Sequence, residues 1–243
     1  MSRRYAFRGA DLRGLSSFGA IDKNVQIHLK NVYSTLCIGF ISAFVAAYAY
    51  QVVNILQSWA TLVSVLSFFI TLASALYIYF TPHSSRTLVT RTCAFVLFAF
   101  STGLGLGPLL HLLSIIDPQT IPTALLGTAI IFASFSLTAI LTRKRYFLFL
   151  GAVLMSATSM LASFNFMNLF LRSPAIYQAE LYIGFAIFCG FVVFDTQLII
   201  EKRKSGDTDF VWHALDLFID FIEIFRHLLI ILNSKRSRRE NEE

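Results

Sequence analysis

The chain has 243 residues, of which 56% are apolar and only 14% charged, whereas soluble domains hold about a quarter charged residues. Its formal charge of +6 is gathered in short segments between apolar runs, which suits topology-setting loops rather than a nucleic-acid surface. The composition therefore excludes an ordinary soluble domain and a nucleic-acid binder, and leaves a membrane protein with the lipid bilayer as its first partner.

Residues 1–31 form a basic amino-terminal segment. Arg3, Arg4 and Arg8 are followed by no apolar stretch, so no cleavable signal peptide is expected. Ile21, Val25 and Leu29 interleave with Lys23, His28 and Lys30, a pattern that fits a short helix on the membrane surface or a mobile tail with one turn of helix. A spanning helix needs roughly 20 mostly apolar residues. Stretches 32–53, 59–80, 92–113, 121–141, 146–166, 179–200 and 211–232 meet that length. They make a single all-α polytopic membrane domain over 32–232, with a charged tail over 233–243. Cys37, Cys93 and Cys189 each sit inside an apolar run, so no disulfide framework is expected.

The third span carries Gly103, Gly105, Gly107 and Pro108. A nucleotide-binding loop would need a preceding strand and an acid about 20 residues on, and neither is present. Small residues let membrane helices approach closely, so this stretch reads as a packing surface with a kink at Pro108. Pro118 and Pro122 bracket the start of the fourth span, whose Gly127, Ala129, Ala133 and Ser134 give a small-residue face. Gly184 and Gly190 do the same in the sixth.

Lys plus Arg number 6, 0, 2, 0, 3, 1 and 3 in the successive segments outside the spans, the first 3 being Arg143, Lys144 and Arg145. That alternation predicts a cytosolic amino terminus. Lys235, Arg236, Arg238 and Arg239 break it if the last segment crosses fully, and obey it if that segment dips in and returns. The side of the tail is left open at this point.

The last stretch is the most informative. At about 100° per residue, His213, Asp216, Asp220, Glu223 and His227 share an arc of about 80°, and the rest of the circumference is apolar apart from Trp212 and Arg226. A second acid, Asp195, lies in the sixth span. A carboxylate at mid-bilayer costs about 2.5–3.5 kcal/mol on insertion scales, so Asp195 and Asp220 are expected to face each other inside the bundle. In contact they would share a proton and titrate as a pair, closed with one proton between them and repelled open when both ionise. Asp216 and Glu223 add negative potential along the same arc. Calcium takes oxygen ligands, and with no tight loop site, transient coordination at Asp195 and Asp220 is what conduction needs. No cofactor and no tightly held metal are expected. His213 and His227 read as helix-end polar residues rather than zinc ligands, since the tetrahedral set is missing.

Two other classes compete with conduction. Intramembrane aspartyl proteases also use two Asp on neighbouring spans, but their second Asp follows a Gly-x-Gly signature, and Asp220 does not. A scaffold that regulates partners without conducting anything is equally compatible with residue chemistry. The chain is read as a non-enzyme.

From about residue 15 to 232 the chain resembles the Bax inhibitor family, and most nearly its endoplasmic-reticulum branch. The resemblance is carried by Thr81-Pro82-His83-Ser84, Thr102-Gly103-Leu104-Gly105-Leu106-Gly107-Pro108, and Pro122-Thr123-Ala124 with Gly127-Thr128-Ala129. Phe194-Asp195-Thr196-Gln197-Leu198-Ile199-Ile200-Glu201-Lys202 follows, then Gly206-Asp207 through Trp212-His213 and Asp216-Leu217-Phe218-Ile219-Asp220-Phe221. The resemblance implies seven hydrophobic helices with the polar-striped last helix, 211–232, at the centre of the bundle. It also implies a pH-sensitive calcium leak of the endoplasmic reticulum membrane that lowers stored calcium and suppresses cell death, with membrane-bound cell-death regulators as partners. Asp195 and Asp220 fall on the family's paired aspartates. Bacterial relatives place an Arg in the second span to lock one aspartate, whereas Trp59 to Phe80 holds no charge. A cationic latch here would have to come from Arg86, Arg91 or Arg226.

Overall fold

The computed structural model describes residues 22–142 and 147–240. Arg3, Arg4, Arg8 and Ile21, the cluster Arg143, Lys144 and Arg145, and Glu242 and Glu243 lie outside the described residues, as do the side chains of Arg236, Arg238 and Arg239. Among the described residues the chain is helical, without strands. The elements are α1 Lys23–Val52, α2 Asn54–Ser58, α3 Ala60–Phe80, α4 Leu88–Ile116, α5 Thr120–Leu141, α6 Phe147–Leu171, α7 Pro174–Lys204 and α8 Phe210–Glu240.

The expected count of seven hydrophobic helices is met in part. Among the described residues, six helices, α1 and α3 through α7, are long and apolar enough to cross a membrane. The five-residue α2 only turns the chain between α1 and α3. α8 has the length, but its ionisable stripe and charged carboxy-terminal turns lower its hydropathy. The helices also run beyond the predicted spans, because a hydrophobic count stops at the first polar residues while the backbone ladder continues. Helix α1 shows this best. Asp22 caps it by accepting from the Asn24 N–H at 3.1 Å, and Val25 and Leu29, 1% and 8% exposed, join Val32 and Leu36 in the core. Residues 23–31 are therefore neither a surface helix nor a tail.

Helix α8 lies at the centre. It packs against α7, α1, α5 and α4, while α3 leans on α4 and α6 on α7. Its apolar side is filled by Phe218, whose ring meets Phe40, Phe95 and Phe98, and by Phe221, which meets Phe40 and Phe132. Many large apolar side chains on α3 and α6 remain exposed, such as Phe68, Phe69, Met160 and Phe166, as a lipid-facing surface requires.

The glycines of α4 set the approach of α1. A β-carbon at Gly103 would fall 2.2 Å from the Ala43 carbonyl oxygen, and one at Gly107 would strike the Tyr50 ring at 2.4 Å, whereas Gly105 meets nothing closer than 3.8 Å. Backbone contact of this kind cannot yield as a side chain can. Gly103→Ala is expected to cost about 1–3 kcal/mol as an overpacked site, and Gly105→Ala to stay within about 1 kcal/mol of wild type. Thermal unfolding in detergent checks both. The helix continues through Pro108 without ending.

Candidate functional site: a carboxylate stripe inside the bundle

The α7–α8 hairpin fixes which residues of α8 face α7. Lys202, Arg203 and Lys204 occupy the last turn of α7, where cations suit the negative helix end. Gly206, with φ of 101°, then reverses the chain. Its N–H donates to the Arg203 carbonyl at 3.1 Å and the Asp207 N–H to the Lys202 carbonyl at 3.0 Å, which is the Schellman pattern. Asp207 Oδ1 accepts from the Asp209 N–H at 2.8 Å. Asp209 Oδ1 in turn accepts from the Trp212 N–H at 3.1 Å and so caps α8. The two helices leave this turn antiparallel.

In that register the Asp195 carboxyl on α7 and the Asp220 carboxyl on α8 are brought together, and Asp216 and Glu223 lie within electrostatic reach of Asp220. Asp220 is only 4% exposed and its Oδ2 has no partner. Asp195, Asp216 and Glu223 are half-buried. Toward the far end His227 is buried, its Nδ1 donating to the Glu223 carbonyl at 2.7 Å and its Nε2 lying over Gly184, where a β-carbon would sit 2.6 Å away. A larger residue at 184 could not share that space. Among the described residues no group of three His, Cys, Asp or Glu is arranged to hold a metal ion. Cys37, Cys93 and Cys189 are free thiols.

The three arginines considered as latches all go elsewhere. Arg91, 2% exposed, places Nη2 at 2.5 Å from Asp209 Oδ2 and 3.2 Å from the Ile78 carbonyl. Arg226 pairs with Glu223 at 2.6 Å along the surface of α8. Arg86 is exposed in the α3–α4 connection. None of them forms an ion pair with Asp195 or Asp220.

Sequence reasoning passed over Asp209 and His28. Asp209 gathers Arg91, the α8 cap and, at 3.6 Å, His83 Nδ1. Its position just before Phe210 was a readable cap signal, but its ion partner is far away in sequence. His28 on α1 meets His213 on α8, with Nε2 and Nδ1 2.9 Å apart, a contact that no local pattern announces.

The tail also finds its place. Helix α8 is continuous to Glu240, so the dip-and-return alternative is excluded. Ser234 and Lys235 line a cavity of about 150 Å³ with Pro174, Tyr177 and Tyr182 at the start of α7, while Asn24 lies against Arg203 at the other end of that helix. Lys23 and Lys235 therefore sit at opposite ends of the bundle.

Fold and site together define a multi-pass helical membrane protein whose central helix carries a stripe of acids, with the buried Asp220 facing Asp195 of the neighbouring helix. Residues 25–237 match the family model described as inhibitor of apoptosis-promoting Bax1. The chain is 43% identical to Bax inhibitor 1 of Mus musculus and 42% identical to that of Homo sapiens, in each case over 97% of this chain and 98% of the relative. It is 37% identical to Bax inhibitor 1 of Arabidopsis thaliana over 93% of this chain and 88% of the relative. The chain belongs to the Bax inhibitor family.

Proposed function

We propose that this protein is a pH-sensitive calcium leak of the endoplasmic reticulum membrane that lowers stored calcium and thereby restrains apoptosis. The observation that carries this reading is the meeting of Asp195 and Asp220 inside the bundle, with Asp216 and Glu223 beside them. One proton between two touching carboxyls holds α7 to α8. Loss of that proton sets two negative charges against each other in a medium that screens them poorly, and the helices part along a stripe of oxygen ligands suited to a hard, weakly held cation. Efflux therefore rises with pH. The family's name supplies the link to cell death, and the positive-inside count favours a cytosolic amino terminus, with the tail on the luminal side.

The test is reconstitution of the purified protein into liposomes loaded with a calcium dye, with efflux followed from about pH 5 to 8. Efflux that climbs with pH supports the reading. No efflux from the wild type would leave a non-conducting scaffold for cell-death regulators, to be pursued by co-purification of partner membrane proteins. Cleavage of a transmembrane peptide, lost in either Asp variant, would instead mark a protease.

A further inference from the structure

The stripe on α8 begins at His213, and that residue is bound not to α7 but to the start of α1. His28 Nε2 and His213 Nδ1 are 2.9 Å apart, with the rings edge-on at 83°. The two side chains are 4% and 1% exposed. A contact between two ring nitrogens needs one donor and one acceptor, and neutral imidazole provides one of each, whereas imidazolium has only donors. The bond survives one added proton. It cannot survive two.

The surroundings decide which way the bond points. Asp207 Oδ2 lies 3.7 Å from His213 Nε2, too far for a hydrogen bond but close enough to favour a proton there. Burial pushes the Asp207 carboxyl up, but the Asp209 N–H together with the nearby His213 and Lys202 outweigh it and bring it below its ordinary value. With Nε2 protonated, His213 Nδ1 is the acceptor and His28 the donor. The other charged groups facing the pair are Lys202 and Arg203 on α7, His83 in the α3–α4 connection, and Asp209, itself tied to Arg91 of α4. Arg203 donates to the Asn24 and Asp207 carbonyls at 3.4 and 3.2 Å, so the same few residues join the first turn of α1 to the α7–α8 turn.

We propose that His28 and His213 form an acid-released tie, a second proton-sensing site separate from the carboxyl pair. The pair holds the start of α1 against α8 while it can share a hydrogen, and lets go when both rings are protonated. Two imidazolium rings, flanked by Lys202 and Arg203, then repel. On the reading of the stripe as an ion path, release uncovers its His213 end.

The test is backbone hydrogen exchange of the intact protein in lipid nanodiscs, corrected for the intrinsic pH dependence of exchange. In the wild type, residues 23–30 are expected to lose protection on the order of tenfold between about pH 7.5 and 3.5, the range over which both buried rings take up a proton, as local opening permits. His213→Gln and His28→Gln keep a hydrogen-bonding side chain that does not titrate, and are expected to hold that segment's protection level across the range. A wild type without the acid loss would overturn the tie. So would Gln variants that lose protection as the wild type does, since that would assign the effect to Asp207, Asp209 or the carboxyl pair. The readout needs no calcium flux, so failure of the leak reading would leave this result intact.

Discussion

Asp195→Asn is expected to hold calcium efflux low and flat from about pH 5 to 8, whereas Asp195→Ala is expected to leave it high and equally flat. The amide of Asn can keep the hydrogen bond to Asp220 but cannot ionise, so the contact stays closed whatever the pH. Alanine removes the contact altogether, and nothing is left to close. A latch that releases one proton changes its open-to-closed ratio by at most about tenfold per pH unit, so the wild type should span a far wider range than either variant. The sign follows from the charges. On the proposed mechanism, protonation closes the pair at low pH, and ionisation of both carboxyls opens it as pH rises. Asp220→Ala adds a control, because the same proposal makes Asp220, 4% exposed and central to the stripe, an ion ligand as well as a latch. That variant should lose efflux and not merely its pH dependence. An Asp195→Asn protein with the wild-type profile would sink the gating mechanism.

Asp209→Ala is expected to be the most destabilising single change in the connections. It strands Arg91, whose head group is buried and already leaves Nε and Nη1 without partners. Removing one member of a buried pair costs about 3–5 kcal/mol, and loss of the α8 cap adds about 1 kcal/mol. Asp209→Asn separates the two contributions, since Asn caps a helix as well as Asp but brings no charge. It should recover about 1 kcal/mol of the loss. Arg91→Met combined with Asp209→Asn removes the stranded cation and should lie close to wild type, as buried pairs replaced by apolar groups often do. Thermal unfolding of the four proteins in one detergent gives the comparison. Asp209→Ala melting with the wild type would show that the pair carries no weight.

Asp195 and Asp220 were legible because an ionisable residue in a membrane-length apolar run has few places to go. The ten residues between the predicted spans 179–200 and 211–232 also made those two spans neighbours. The glycine spacing of α4 was equally legible as a close-packing surface, although only the structure separates Gly103 and Gly107, which face α1, from Gly105, which does not. The partners of the candidate latch arginines were not legible. Charge counting offered Arg86, Arg91 and Arg226, but a guanidinium reaches only a few ångströms, and the partner of Arg91 is set by where the α3–α4 and α7–α8 turns come together.

The sequence by itself therefore determined the class of protein, the membrane-length segments and the one-sided stripe on the last of them. Each rests on local quantities: apolar content over a window, and a fixed angle per residue. Only the tertiary structure decided that α8 runs as a single helix from Phe210 to Glu240. The pairing of Arg91 with Asp209 and the joining of His28 to His213 likewise came only from it. Those contacts link residues up to 185 positions apart. Hydropathy and helical period describe which face of a helix is polar, and cannot say which neighbouring helix that face will meet.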